Sequence, residues 1–147
     1  MDVIFFNTLP FLVSISTAMK FITVYNISNR SKISLVNPIY IIVRHYKSHS
    51  LLVSNMFLDL EFQFLEKREV STIPNTKGAC DPVPEVEWQI KVIKEHIRAH
   101  HANLPFPSFT WWMTIELANH AVMFLNALPP KSGLLTTYIP KNIMMSK

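Results

Sequence analysis

The chain has 147 residues, a net charge of +4 and a hydrophobic fraction of 49%. That size and composition fit one domain with its own core and argue against a disordered chain. Cys80 is the single cysteine, which excludes an internal disulfide framework and a cysteine-based zinc cluster. The two glycines leave no glycine-rich phosphate loop, so nucleotide binding of the Rossmann or P-loop kind is excluded. The mild basic charge fits either a polyanion-binding surface or an ordinary basic one.

The first 25 residues are strongly apolar but do not resemble a targeting signal. No basic residue precedes Lys20, whereas a signal peptide begins with a basic region. Asn7, Pro10 and Lys20 interrupt the stretch, and a spanning helix needs about 20 predominantly apolar residues. We therefore expect strands here and no membrane association, with a small membrane-associated protein as the alternative.

The pattern along the chain predicts strands ahead of two long helices. Residues 3–7, 11–16 and 21–25 are predicted strands of an antiparallel meander, with a turn at 8–10. After a polar connection over 26–37, Asn37 is the predicted N-cap and Pro38 the first residue of a helix. Strand candidates follow at 51–58 and 70–73, and three prolines predict a loop over 74–84. Long helices are predicted over 85–103 and 108–128, the second with Trp111, Ile115, Ala118, Val122 and Leu125 on one stripe.

This order predicts an α/β fold with a mixed sheet. Three antiparallel strands come first, then strands flanked by helices, then the two long C-terminal helices. We expect one domain over 1–128 and a short tail over 129–147.

The first long helix carries two different stripes. Val86, Ile90, Ile93 and Ile97 form the predicted buried face, spaced i, i+4, i+7 and i+11. The same spacing, shifted by one residue, holds a carboxylate followed by three cations: Glu87, Lys91, Lys94 and Arg98. That second stripe is either a solvated face with a favourable ion pair, or a metal-binding carboxylate with a basic rail for a phosphate backbone.

Several segments resemble the integrase of copia-type retrotransposons. Residues 83–87 (VPEVE) and 91–95 (KVIKE) resemble the segment that carries the glutamate of that family's Asp-Asp-Glu triad. Residues 57–62 (FLDLEF) resemble the second-aspartate motif, and 2–7 with 9–16 resemble the first two strands, with Asp2 as the first aspartate. Residues 124–129 and 138–140 match the region after the catalytic helix. The order and spacing of these segments carry the resemblance, which covers nearly the whole chain.

The resemblance implies a ribonuclease H-like core and metal-assisted phosphoryl transfer on DNA, in 3′-end processing and strand transfer. Two Mg²⁺ (or Mn²⁺) ions would lie about 3.5–4 Å apart. Asp2 would bridge both ions, Asp59 would bind one and Glu87 the other. Lys91 and Lys94 would touch the DNA end, and Arg98 extends their line.

Each carboxylate also has a plain structural interpretation. Asp2 fits a frayed terminal residue, Asp59 a cap at a strand end, and Glu87 a first-turn residue favoured by the helix dipole.

The chain departs from the family pattern at three places. Trp88 stands where the family usually has Arg, and His49-Ser50 where an Arg-Gly turn is common. Asp2 lies at the second residue, so the first strand is expected to lack its usual sheet hydrogen bonds. These departures predict a fragment of a longer polyprotein with impaired activity, and they leave open whether the chain is an active enzyme. The alternative function is a catalytically inactive nucleic-acid-binding or oligomerisation domain.

The resemblance further implies DNA as partner, a homo-oligomer in the parent integrase, and an intracellular location, nuclear if the host is eukaryotic. Other residue groups have weaker functional interpretations. His96, His100 and His101 fit solvated helix histidines better than a zinc site. Trp111 and Trp112 fit a core or interface better than a base-stacking platform. Cys80 is expected to be a passive thiol.

Overall fold

A computed structural model of the chain describes residues 1–58, 62, 73–76, 84–106, 108–130 and 138–145. The described residues form an α/β fold with an antiparallel three-stranded sheet and helices, as predicted, but the described strands do not form one mixed sheet: β4 and β5 make a separate parallel pair. The elements in chain order are β1 (Asp2–Phe6), β2 (Leu9–Ile15), β3 (Ile22–Asn26), α1 (Lys32–Ser48), β4 (Asn55–Leu58), β5 (Ile73–Thr76), α2 (Pro84–Asn103), α3 (Trp111–Asn126) and α4 (Pro140–Met145).

The first three strands form the predicted meander. Asp2 pairs with Val13 at one end of the β1–β2 ladder, and β3 pairs along the other side of β2. Asn7 and Thr8 make the tight turn, with φ of 47° and 69°. Two consecutive positive φ values match the right-handed twist of a two-residue hairpin. The turn therefore precedes the predicted one, and Pro10 is a buried residue of β2.

Strands β4 and β5 form a parallel pair. β4 is shorter than the strand predicted over 51–58, and β5 lies partly in the segment predicted as a loop. Asn55 pairs with Ile73 and Leu58 with Thr76. Residues 51–54 are irregular, so the predicted strand over 51–58 is only half formed. Residues 74–76 were predicted as loop but belong to β5, whereas 70–72 and 77–83 lie outside the described residues.

Helix α1 begins six residues before the predicted start. Ser31 is the N-cap, and its Oγ accepts a hydrogen bond from the Ser34 N–H at 3.3 Å. Asn29 fixes this cap, because its Oδ1 accepts the Ser31 N–H at 2.8 Å. The prediction of Asn37 as N-cap and Pro38 as first residue is wrong: the stronger cap lies upstream, and Pro38 is a buried residue inside the helix.

The end of α1 is a tight turn at His49 and Ser50. Ser50 follows the C-cap His49 with φ of 56°, and its N–H donates to the Lys47 carbonyl at 3.0 Å. This left-handed position after a helix normally favours glycine. The His49-Ser50 pair therefore keeps the turn geometry without a glycine.

Two core clusters lie on the two faces of the sheet. One joins β1 and β2 to α1 and β4 and includes Leu12, Ile39, Leu58 and, from α4, Met144. The other packs Phe11 and Val13 against α2 and α3. Alternation along β2 sends Leu12 to one cluster and its two neighbours to the other. The domain boundary at 128 stays a prediction.

Helices α2 and α3 cover the second face of the sheet, mostly with residues from their predicted stripes. Ile90, Ile93 and Ile97 are buried, as predicted, and Val86 is partly buried against them. Ala118 and Val122 are buried in α3, whereas Trp111, on the same stripe in the sequence, is 54% exposed. Thr110 caps α3, and Trp111 is its first residue.

Candidate functional site

Asp2 is held in a formed strand. Its Cα pairs with that of Val13, its side chain is half-buried, and its Oδ1 accepts a hydrogen bond from the Val3 N–H at 2.6 Å. The amino group of Met1 donates to the Phe57 carbonyl of β4 at 2.8 Å. The interpretation of Asp2 as a frayed end is therefore wrong.

Asp59 lies outside the described residues, but the strand that precedes it does not. Phe57 takes the bond from Met1, and Leu58, the last residue of β4, is 3% exposed. The start of β1 and the end of β4 are therefore neighbours.

Glu87 lies in the first turn of α2 with an exposed side chain. Pro84 begins the helix, where a missing N–H costs nothing because the first four N–H groups have no helical partner. A carboxylate in the first turn is also favoured by the helix dipole. The plain structural interpretation of Glu87 is compatible with this position.

One cavity connects the neighbours of all three candidate carboxylates. It has a volume of about 520 Å³, and its lining includes Met1, Phe57 and Val86. Met1 precedes Asp2, Phe57 is two residues before Asp59, and Val86 precedes Glu87. The structure thus brings the start of β1, the end of β4 and the start of α2 to one cavity, whereas the triad itself stays a prediction.

The relative direction of β1 and α2 agrees with this placement. Met1 and Val86 border the 520 Å³ cavity, whereas Phe6 and Ile97 border a second cavity of about 280 Å³. Five strand residues at about 3.3 Å and eleven helix residues at about 1.5 Å both span roughly 17 Å. The strand and helix therefore run side by side in one direction, with Asp2 and Glu87 at the same end.

The predicted basic residues follow Glu87 along α2. At about 100° per residue, Lys91, Lys94 and Arg98 all lie within roughly 60° of one another around the helix. Lys91 and Arg98 are exposed, and Lys94 is half-buried. Lys94 and Arg98 line the second cavity. A role in DNA contact stays a prediction for all three.

The described residues show no ready-made metal cluster. Among the parts of the chain that the structure describes, no three His, Cys, Asp or Glu side chains are placed to hold a metal ion. Asp59 lies outside these parts of the chain, so the triad stays a prediction. His96 and His100 lie 6.1 Å apart between ring centroids, and His120 of α3 is 5.1 Å from His100.

The tryptophan pair and Cys80 were also considered in the sequence. Trp111 and Trp112 are stacked at 4.2 Å between centroids and are 54% and 59% exposed, so the core interpretation is wrong and an interface role stays a prediction. Cys80 lies outside the described residues.

Burial changes the ionisation of two residues near the larger cavity. Tyr46 lines it, and burial, with a smaller contribution from Tyr25, raises the pKa of Tyr46 to about 12. Burial and then the nearby His49 lower the pKa of His45. Tyr46 therefore keeps its proton to a higher pH than an exposed tyrosine does.

Sequence reasoning missed two features of this region. Phe5 and Phe109 contribute to the second cavity, although neither had been singled out for binding, and His101, considered only as a zinc ligand, lines it too. Asn126 of α3 bonds both backbone groups of Ile22, accepting its N–H at 2.9 Å and donating to its carbonyl at 2.8 Å. A polar residue among the apolar positions of α3 was the available signal for Asn126.

The fold matches a solved integrase catalytic core. The catalytic core domain of BIV integrase aligns with a TM-score of 0.69 and 16% sequence identity, covering 99% of this chain and 91% of that one. The sequence matches no family model and no curated protein. At this identity the likeness establishes an integrase-like fold. Within the described residues, none of the helices is both long and apolar enough to cross a membrane.

Proposed function

We propose that the chain is a copia-type integrase core of the Asp-Asp-Glu class, with a ribonuclease H-like fold, that catalyses phosphoryl transfer on DNA. The observation that supports it best is the 520 Å³ cavity bordered by Met1, Phe57 and Val86, which lie within two positions of Asp2, Asp59 and Glu87 in the sequence. The match to the BIV integrase core supports the same fold class.

Asp2, Asp59 and Glu87 would hold the metal. All three offer carboxylate oxygens, which are the ligands that Mg²⁺ and Mn²⁺ prefer, so the donor set fits. Asp2 uses Oδ1 for the Val3 N–H, and a carboxylate oxygen can accept more than one contact. When bound, two such ions supply activation of the attacking oxygen and neutralise charge at the phosphodiester.

The chain's own residues would position the DNA. Lys91, Lys94 and Arg98 form one cationic line on α2 that begins one turn after Glu87. Phosphate contacts of this kind fix the register of the duplex without reading its sequence. DNA is therefore the proposed partner, with a homo-oligomer as the working state and an intracellular, in eukaryotes nuclear, location.

The test is a nicking and strand-transfer assay with an end-labelled DNA duplex in Mg²⁺ or Mn²⁺. Wild-type chain is expected to give metal-dependent products, and Glu87→Gln to give none. The control is Glu95→Gln, which removes an exposed carboxylate from the same helix and should keep activity. Absence of metal-dependent products from wild type, or equal products from Glu87→Gln, would reject the proposal.

A second candidate is a DNA-binding domain without catalysis. Lys94 and Arg98 line a cavity at the far end of the β1–α2 pair from Glu87, so DNA contact there does not require the carboxylates. This candidate predicts salt-sensitive DNA binding by wild type with no nicking in any metal.

A further inference from the structure

The second cavity combines cationic and aromatic side chains. It lies between the end of β1, the second half of α2 and the entry to α3, and has a volume of about 280 Å³. Its lining includes Phe5, Phe6, Lys94, Arg98, His101 and Phe109. We call this the aromatic–cationic pocket.

The charge of the pocket favours an anion. Lys94 and Arg98 bring two positive charges, and His101 adds a nitrogen-bearing ring. The described lining residues include no carboxylate. An anionic group entering here would therefore meet cations without a competing negative charge.

The aromatic side chains offer ring surface beside those cations. The Phe5 ring is 48% exposed, and the Arg30 guanidinium lies 5.1 Å from its centroid. Phe109 is half-buried and packs at 4.2 Å from the His101 ring, between centroids. Exposed rings close to cations suit a base joined to a phosphate, because every base presents a flat face for stacking.

The volume limits the ligand to one nucleotide. Pockets for small molecules run from about 300 to 1,000 Å³, and this one lies at the lower limit. A base pair inside a duplex does not fit such a pocket, whereas one unpaired nucleotide does.

We propose that the aromatic–cationic pocket binds a single unpaired nucleotide of the DNA. Lys94 and Arg98 hold its phosphate, and the base lies against Phe109 and Phe5. This inference rests on the proposed function, since it takes DNA as the ligand. Lys94 and Arg98 follow Glu87 by about 10 and 16 Å along the helix axis, which equals roughly three to five nucleotides at 3.4 Å each.

The experiment measures DNA affinity in EDTA, where no metal-dependent cleavage occurs. Fluorescence anisotropy compares wild-type chain on a blunt duplex, on the same duplex with a four-nucleotide single-stranded end, and on that end with abasic sites. The single-stranded end is expected to raise affinity about tenfold, within the range for base stacking, and the abasic version to lose that gain. Equal affinity for blunt and single-stranded ends, or a gain retained by the abasic end, overturns the proposal.

Variants assign the gain to the pocket. Phe109→Leu and Arg98→Gln should each remove most of it, whereas Trp112→Leu, an exposed aromatic residue that does not line the pocket, should keep it. Loss of the gain in Trp112→Leu alone would move the site to the Trp pair and overturn the proposal. The abasic substrate requires no change to the protein, so the test stands even if Phe109→Leu fails to fold.

The result separates this inference from the proposed function. A single-stranded preference without nicking rejects catalysis and keeps the pocket. Metal-dependent nicking without the preference rejects the pocket and keeps catalysis.

Discussion

The two ends of the β1–α2 pair carry opposite chemistry. At one end lie Asp2 and Glu87, next to residues that border the 520 Å³ cavity. At the other end, Lys94 and Arg98 line the aromatic–cationic pocket. The ends lie about 17 Å apart on one strand and one helix. A single rigid pair thus separates a proposed reaction end from a proposed binding end, and the two can be altered independently.

The largest expected effect is at the carboxylate end. Asp2→Asn keeps the shape of the side chain and removes the charge that the metal requires. Mutation of a residue that only supports a metal ligand costs up to about 100-fold in metal affinity or activity. Since Asp2 would itself bind the metal, we expect metal-dependent nicking to fall by at least about 100-fold. DNA affinity in EDTA should stay within about twofold, because no cation is lost.

The matched control for Asp2→Asn is Glu116→Gln, which removes an exposed carboxylate from α3. A comparable loss of nicking in that variant would show that overall charge, rather than the carboxylate end, controls activity.

The next-largest effect is a loss of stability that affects both ends of the β1–α2 pair. Asn126→Ala leaves the buried N–H and carbonyl of Ile22 without partners and should lower the free energy of unfolding by about 2–3 kcal/mol. Since Asn126 joins α3 to β3, we expect nicking and DNA binding to fail at the same temperature. Urea denaturation measures the loss.

Asn119→Ala provides the comparison on the same helix. Asn119 is exposed, so its removal should change the free energy of unfolding by about 0.5 kcal/mol or less. An equal loss in both variants would contradict the role of the bonds to Ile22.

A smaller effect belongs to the cationic end. Lys91→Gln and Lys94→Gln should each reduce the slope of log affinity against log salt by about 1, because each removes one phosphate contact. The metal dependence of nicking should remain. Lys32→Gln, on the exposed start of α1, should leave the slope unchanged. An effect equal to that of Lys94→Gln would contradict a DNA contact localised on α2.

The smallest effect is a pH dependence near the carboxylate end. The lowered pKa of His45 means that the folded chain binds fewer protons than the unfolded chain, so stability falls as pH drops below about 6.5. His45→Gln should reduce this loss of stability at low pH. Urea denaturation between pH 5 and 7.5 measures the free energy of unfolding, and an unchanged loss in His45→Gln would assign it to other groups.

Periodicity predicted the parts of the fold that depend on side-chain pattern. The three N-terminal strands and the buried face of α2 followed from alternation and from helical spacing of Ile90, Ile93 and Ile97. The start of α1 did not, because a local hydrogen bond to Ser31 outweighs the usual position of Pro38. Trp111 continues the stripe of α3 in sequence, but it is the first residue of the helix and is 54% exposed.

The candidate site was predictable only as an order of residues. Resemblance to copia-type integrases gave the order of Asp2, Asp59 and Glu87, whereas the shared direction of β1 and α2, which puts Asp2 and Glu87 at one end, follows only from the fold. The aromatic–cationic pocket could not be predicted, since Phe5, Lys94 and Phe109 come from three separate elements with no shared motif. Asn126 and Ile22 are likewise paired by a fold contact spanning 104 residues.

Paramagnetic broadening by Mn²⁺ tests the central claim most directly. Backbone amide signals are recorded by NMR as substoichiometric Mn²⁺ is added to wild-type chain and to Glu87→Gln. Selective loss of the signals of Asp2, Asp59, Glu87 and their neighbours in wild type, and not in Glu87→Gln, is the result we predict. Broadening centred on His96 and His100, or uniform weak broadening of the whole chain, would contradict a shared carboxylate metal site.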